Sequence, residues 1–198
     1  FAVADQSTIL RQGETVAHRK ISDTNASELS ELMVGRKVVL PKRPKLESLS
    51  RIILDLPNLK IGSGEIVGIA GVEGNGQTEL IEEVIRQADP EHLSLIPMDR
   101  QREGLVLGFS LKENLRLKAS ILSKKSNFSR FEDATQTEQS LLTEFDVRPP
   151  QSELVTSGLS GGNQQKLIIA RELSRANANS LIVAIHPTRG VDIGAIEF

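Results

Sequence analysis

The sequence predicts an α/β fold, and three stretches carry that prediction. Ile66-Val67-Gly68-Ile69-Ala70 is a short apolar run with β-branched residues, read as a buried strand, and it feeds a glycine-rich loop and then a helix. Leu181-Ile182-Val183-Ala184-Ile185 repeats the buried-strand pattern and runs into His186-Pro187-Thr188-Arg189-Gly190-Val191-Asp192. Between them, Leu159-Ser160-Gly161-Gly162-Asn163-Gln164-Gln165-Lys166 precedes an apolar segment, Leu167 to Leu173, that reads as a buried helix whose first turn begins near Gly162.

In chain order, Ser7-Thr8-Ile9-Leu10, a Gln12-Gly13 turn and Glu14-Thr15-Val16-Ala17 read strand–turn–strand. Asn25 with Glu28 three residues on makes a capping box, Leu29, Leu32 and Met33 share one helical face, and Gly35 stops that helix. Arg36-Lys37 and Pro41-Lys42-Arg43-Pro44-Lys45 form a basic, proline-broken run, read as a solvated linker, with lipid headgroup contact as the minor alternative. After the glycine-rich loop a helix runs from Glu79 to about Ile85, and Leu93-Ser94-Leu95-Ile96-Pro97 reads as a further strand. Ser110, with Glu113 at the third position, caps the next helix; Ser123 to Ser129 is a loop and Glu138 to Phe145 a helix.

Composition narrows the chemistry. Only 3% of the 198 residues are aromatic, with no Trp or Tyr, so the core must be aliphatic. The absence of cysteine excludes disulfides, thiol catalysis and thiolate metal sites. A net charge of -2 argues against a nucleic-acid footprint. No apolar run reaches the ~18–20 residues that span a bilayer, and Phe1 does not open a signal peptide. The expectation is a soluble cytoplasmic protein that meets a membrane only through a partner.

Two stretches point to phosphate. Paired glycines after Ser160 let backbone approach a ligand, and the helix behind them offers free N–H groups and the positive end of its dipole. By itself a Ser-Gly-Gly before a helix also reads as a plain N-cap and turn. Gly71-Val72-Glu73-Gly74-Asn75-Gly76-Gln77-Thr78 meets the G-x-x-x-x-G-K-[ST] spacing at Gly71, Gly76 and Thr78, but Gln77 stands where the lysine belongs. Loop amides from Glu73 to Thr78 can still cradle phosphate oxygens, and the Thr78 hydroxyl can still reach Mg²⁺. Losing the lysine removes a charge-assisted bond worth about 1.5–3 kcal/mol.

The run LSGGNQQK resembles the signature motif of the ABC ATPases, and its Asn-Gln-Gln-Lys tail is similar to that of the carbohydrate and nucleoside importers. Asp99-Arg100 with Gly104-Leu105-Val106 resembles that family's "PEDR…GLV" segment, which contacts the transmembrane partner, with Met98 replacing an acidic residue. Ser110 to Asn114 looks like its "S-x-x-E-N", and Phe145-Asp146-Val147-Arg148 like its "FdVR". The resemblance implies an α/β P-loop NTPase (ABC ATPase) core with a helical signature subdomain, incomplete in this chain. Residues 1–35 resemble the tail of a preceding nucleotide-binding domain, 36–45 a linker, and 46–198 a second domain that ends before the switch-histidine strand. Relative to the family, the chain lacks a strand–turn–strand excursion after Val84-Ile85. A true deletion and residues closed up in the numbering are both open, the abrupt termini favouring the second.

Function follows from the same resemblance. ABC domains pair head to tail, so Ser160, Gly161, Gly162 and Gln164 would serve a nucleotide carried by the first domain of the same chain. Gly71, Gly74, Asn75, Gly76, Gln77 and Thr78 would form this half's own ATP site, with Thr78 on the metal. That site departs from the family: Ile185 and His186 stand where the Mg²⁺-shell Asp and water-polarising Glu belong. No aromatic residue lies between Phe1 and Phe109 to stack adenine. His186 as a general base is the minor reading and a strand-end packing residue the major one. Asp192 matches the D-loop aspartate. The implied function is the ATP-binding second half of an importer for simple sugars or nucleosides, with ATP and Mg²⁺ as cofactors, weak or absent in its own site. Permease subunits and, indirectly, a substrate-binding protein are the implied partners. Gln77 in place of arginine leans weakly to the nucleoside branch. A regulatory, non-hydrolysing nucleotide-binding module is the alternative; a chromosome-maintenance ATPase would need long heptad arms that are not seen. Each of the two aliphatic runs ends in a motif that the family gathers at one sheet edge, so Ile66–Ala70 and Leu181–Ile185 are expected to be neighbouring parallel strands.

Overall fold

A computed structural model describes residues 3–11, 13–37, 51–72, 74–122 and 138–191. They fall into two compact units, one within Phe1–Arg43 and Val191–Phe198, the other within Pro44–Gly190.

In the first unit, β1 (Gln6–Arg11) and β2 (Glu14–Lys20) form an antiparallel hairpin that pairs Gln6 with Lys20 and slips register between Ile9 and Leu10. α1 (Ala26–Val34) starts at Asn25, whose side chain accepts from Glu28 N at 3.0 Å, and ends at Gly35. Capping is one-sided, because the Glu28 carboxylate turns to Arg19 Nε (2.8 Å) and Thr24 Oγ1 (2.7 Å). The Arg19 bond, then the Thr24 bond, hold the Glu28 carboxyl below the usual carboxylate range. Val38–Lys45, most of the expected linker, and the Ser123–Ser129 loop lie outside the described residues.

The second unit opens with a hairpin, β3 (Ile52–Leu56) and β4 (Leu59–Gly62), turned at Pro57-Asn58. There follow α2 (Gln77–Gln87), β5 (Leu93–Ile96), α3 (Leu111–Leu122), α4 (Glu138–Glu144), α5 (Gly161–Leu173) and β6 (Leu181–Ala184). β5 and β6 are parallel, Leu93 opposite Leu181 and Ile96 opposite Ala184, and Ile185 N extends the ladder to Ile96 O at 2.9 Å. One expectation is corrected here. Ile66–Ala70 is not a strand and forms no ladder with Leu181–Ile185; the hydrogen-bonded partner of the latter run is Leu93–Ile96. An aliphatic run becomes a strand only where a ladder satisfies its N–H and C=O groups. No described strand pairs with 66–70, and Ile66 is 71% exposed.

Two aliphatic cores hold this unit. Leu54, Leu56, Val84 and Leu181 form the smaller, under the hairpin and α2. The larger gathers Leu111, Leu115, Leu142, Leu167 and Ile168, all buried to 1% exposure or less, around α5. Each such side chain contributes about 1.5–3 kcal/mol of transfer free energy. Polar bonds then fix α5 against β5: Ser94 Oγ donates to Glu172 O (3.0 Å), and the buried Glu172 carboxylate accepts from Leu95 N (3.2 Å) and Arg171 Nε (2.9 Å). The N-terminus of α5 is thereby held in a defined place relative to the parallel strands.

Candidate functional site

The turn that opens α5 is built by its own polar residues. Ser160 is the N-cap, extended at φ -62°, ψ 156°, and its hydroxyl accepts from Asn163 N at 3.4 Å and Asn163 Nδ2 at 3.0 Å. Asn163 Oδ1 in turn accepts from Arg148 N at 2.8 Å. Lys166 Nζ reaches back to Asp146, donating to its carboxylate at 2.6 Å and its carbonyl at 3.1 Å. Burial raises the Asp146 carboxyl, but the bonds from Lys166 and Arg148 outweigh it and leave the group below the usual aspartate range. Residues 146–148 are thus clasped onto the first turns of α5.

Gln164 points inward: it is 3% exposed, donates to Leu159 O at 3.3 Å and accepts from Gln101 Nε2 at 3.0 Å. What faces outward is backbone. The N–H groups of Gly161 and Gly162 lie in the first helical turn, without an acceptor inside the helix. A Cβ at Gly162 would meet nothing within 4 Å, whereas one at Gly161 would lie 2.5 Å from Arg100 Nη2. A side chain at 161 would have to displace the Arg100 guanidinium.

The glycine-rich loop has a different state. Gly74 (φ 87°) and Gly76 (φ 92°) take the left-handed region that a non-glycine residue enters only under strain, and Gly76 leads directly into α2. Helix α2 begins at Gln77, two residues earlier than the sequence suggested, and no side chain caps it. The Gln77 side chain folds back over the loop. Its Nε2 donates to Val72 O at 2.8 Å, and its Oε1 accepts from Asn75 N at 3.1 Å. Its amide also fills the space that a Cβ on Gly71 would need. Glu73 lies outside the described residues; Thr78 is exposed at the helix start.

Beyond β6 the chain turns at once. His186 is exposed at φ 47°, and its carbonyl accepts from Arg189 N at 2.9 Å. It is a turn residue, not the strand-end packing residue that the sequence suggested, because the ladder stops at Ile185. Asp192 lies outside the described residues. Among the described residues, no group of three or more His, Cys, Asp or Glu side chains is placed to hold a metal. Nor is any helix long and apolar enough to cross a membrane.

The structure brings Gly71 to Thr78 into one loop and Ser160 to Gln164 into one turn, with no described hydrogen bond joining the two. Residue reading missed three things: the inward use of the Asn163-Gln164-Gln165-Lys166 tail, the Gln77 clasp, and the Arg100–Gly161 approach. The polar run itself was the available signal for the first, since Gln164 and Gln165 lie just before the apolar stretch 167–170 of a buried helix.

A phosphate-type glycine loop, a capped Ser-Gly-Gly helix start and a parallel strand pair define a nucleotide-binding α/β class. Residues 54–182 match the model of the ABC transporter family, and the chain belongs to that family. Among curated relatives it is 37% identical over 237 aligned positions to "Guanosine import ATP-binding protein NupO" of Bacillus subtilis (strain 168), covering 99% of this chain and 46% of that protein. It is 35% identical over 237 positions to "Nucleoside import ATP-binding protein NupA" of Lactococcus lactis subsp. cremoris (strain MG1363), covering 100% and 46%. "Ribose import ATP-binding protein RbsA" of Hahella chejuensis (strain KCTC 2396) is 31% identical over 232 positions, covering 98% and 46%. The chain spans about half the length of these relatives. Each alignment is longer than the chain itself, so the relatives carry residues without a counterpart here.

Proposed function

We propose that this chain is the second ATP-binding half of an ABC importer for nucleosides, which donates its signature turn to a nucleotide held by the first half. The observation that carries the reading is the contrast between the two phosphate-type sites. At the signature, the Gly161 and Gly162 N–H groups lie at the positive end of a thirteen-residue helix without an acceptor inside it, and the side chains of Ser160, Asn163 and Lys166 hold that geometry. At the glycine loop, Gln77 uses a loop amide for itself and supplies no charge. Of three relatives at 35% identity or above, two are named for guanosine or nucleoside import and one, "Glucose import ATP-binding protein TsgD13" of Haloferax volcanii at 36%, for glucose import, so the names lean to nucleosides over simple sugars.

In this reading residues 1–35 close the first nucleotide-binding domain, 36–45 link, and 46–198 form the second. ATP turnover belongs to the assembled protein: the first half supplies the charged phosphate loop, and this half supplies backbone donors where negative charge gathers in the transition state. Nucleotide and Mg²⁺ on this half's own loop, through Gly71, Gly74, Asn75, Gly76, Gln77 and Thr78, are weakly held and turned over poorly, because Ile185 and His186 offer no carboxylate to a metal or a water. Permease subunits place the protein at the cytoplasmic face of the membrane, with a substrate-binding protein acting through them.

The alternative, a regulatory nucleotide-binding module outside transport, shares the same altered loop, so partnership separates the two. The full-length protein, expressed with its neighbouring membrane genes, is expected to co-purify with a polytopic permease and to restore nucleoside uptake in a deficient host. A protein that purifies without any membrane subunit and leaves uptake unchanged would support the regulatory module instead.

A further inference from the structure

We propose that Arg100 supplies the positive charge of the signature site, its guanidinium being held beside the Gly161–Gly162 turn to meet the phosphate that docks there. This rests on the reading of that turn as the receiver of the first half's nucleotide.

The five-residue turn Arg100–Gly104 follows β5 and is capped by Asp99, whose carboxylate accepts from Gln101 N and Arg102 N, each at 3.1 Å. The Arg100 side chain leaves this turn and lies between two glycines. A Cβ on Gly161 would be 2.5 Å from its Nη2, and one on Gly190 would be 3.0 Å from its Nη1. Among the described residues it makes one hydrogen bond, Nη1 to Arg189 O at 3.0 Å, while its Nε is buried with no hydrogen-bond partner. Among the described residues no carboxylate forms an ion pair with it. Asp99 is engaged with the Gln101 and Arg102 amides, and Asp146 is taken by Lys166 and Arg148.

This is the wrong sign for a structural clasp. A cation beside a helix N-terminus is repelled by the dipole, and burying its Nε without a partner adds to that cost. An anion resting on the Gly161 and Gly162 N–H groups reverses the balance, since dipole and guanidinium then act on it together. The groups of the turn itself, two amides and the Ser160 hydroxyl, are neutral. Arg100 gives the site a full charge in a planar, forked geometry that matches phosphate oxygens.

Two substitutions separate charge from clasp. Glutamine at 100 keeps an amide donor for Arg189 O and loses the charge; lysine keeps the charge and loses the fork. Steady-state ATP turnover by the full-length protein with its permease is measured over a range of ATP concentrations, beside Gly161→Asp as a check on the underlying reading. Arg100→Gln is expected to lower kcat/KM for ATP about tenfold or more, and Arg100→Lys to recover most of it. An unchanged Arg100→Gln, or an Arg100→Lys as impaired as Arg100→Gln, overturns the role of Arg100 while an inactive Gly161→Asp leaves the signature reading standing. Normal turnover by Gly161→Asp overturns that reading and the proposal with it.

Discussion

The side-chain amide of Gln77 closes the glycine loop on itself, donating to the Val72 carbonyl at 2.8 Å while its oxygen takes the Asn75 N–H at 3.1 Å. A residue at the position of a phosphate-binding lysine thus occupies one backbone donor, the Asn75 N–H, that a phosphate oxygen could otherwise accept from. A ligand at this loop must displace that clasp, at about 0.5–1.5 kcal/mol per net hydrogen bond.

Replacing Gln77 with lysine removes the clasp and adds charge, so nucleotide affinity at this loop should rise about tenfold or more. Gln77→Ala, which only frees the amide, should give a smaller rise. Photolabelling of the full-length protein with an azido-ATP, followed by mapping of the labelled peptide to residues 71–78, reads both. Weaker labelling in Gln77→Ala than in wild type would show that the glutamine assists the nucleotide. Neither change is expected to restore hydrolysis, because charge at the phosphates does not position a water.

Asn114, 1% exposed, accepts from Val106 N (2.9 Å) and donates to Val106 O (2.9 Å) and Thr156 Oγ1 (2.8 Å), tying α3 to the 105–106 segment and the turn before the signature. Asn114→Ala should cost about 1–3 kcal/mol, since the buried Thr156 hydroxyl and the two part-buried backbone groups of Val106 lose a partner. Asn114→Asp should cost more, because a carboxylate oxygen then faces Val106 O. Denaturant unfolding of the two variants ranks them.

Acid stability should depend on Asp146. Its carboxyl is held low, so its contribution is fully present above the unfolded-state pKa, about 3.9, and is lost as pH falls through the lower folded value. Asp146→Asn should therefore be less stable than wild type at neutral pH, and the gap should close toward the acid end of a pH series of thermal melts. A constant gap would place the loss in packing and not in the Lys166 pair.

His186 is exposed at φ 47°, a conformation that glycine adopts without strain. His186→Gly should raise the unfolding free energy by up to about 1 kcal/mol, read as a small upward shift in Tm. A fall in Tm would mean that the imidazole makes stabilising contacts.

Much of this fold was legible where pattern and local chemistry agree. The Ser110–Glu113 cap forms as expected, with Glu113 accepting from Ser110 N at 2.7 Å, and the strand at Leu93–Ile96 and the helix after Gly161 fall within a residue or two of their expected ends. The aliphatic core expected from the lack of Trp and Tyr is present in both clusters. The β3–β4 hairpin carries little sequence signal because its Pro57-Asn58 turn joins strands of only five and four residues. Pairing was illegible at Ile66–Ala70, since an apolar run records a wish for burial but not which strand satisfies it. At the site, the residue types were readable and their directions were not: Gln164 and Gln77 carry the same amide, and only tertiary neighbours turn one into the core and the other over a loop.

The central claim is that this half acts through its signature turn and not through its own phosphate loop. Steady-state ATP turnover by the full-length protein with its permease tests it most directly, comparing Gly161→Asp with His186→Ala. An aspartate at 161 displaces the Arg100 guanidinium and sets a negative charge at the turn proposed to receive phosphate, so Gly161→Asp should all but abolish turnover. His186, an exposed turn residue in a site without its carboxylates, should cost about twofold or less when replaced by alanine. Equal losses in the two variants would contradict the account, because this half would then be catalytic in its own right.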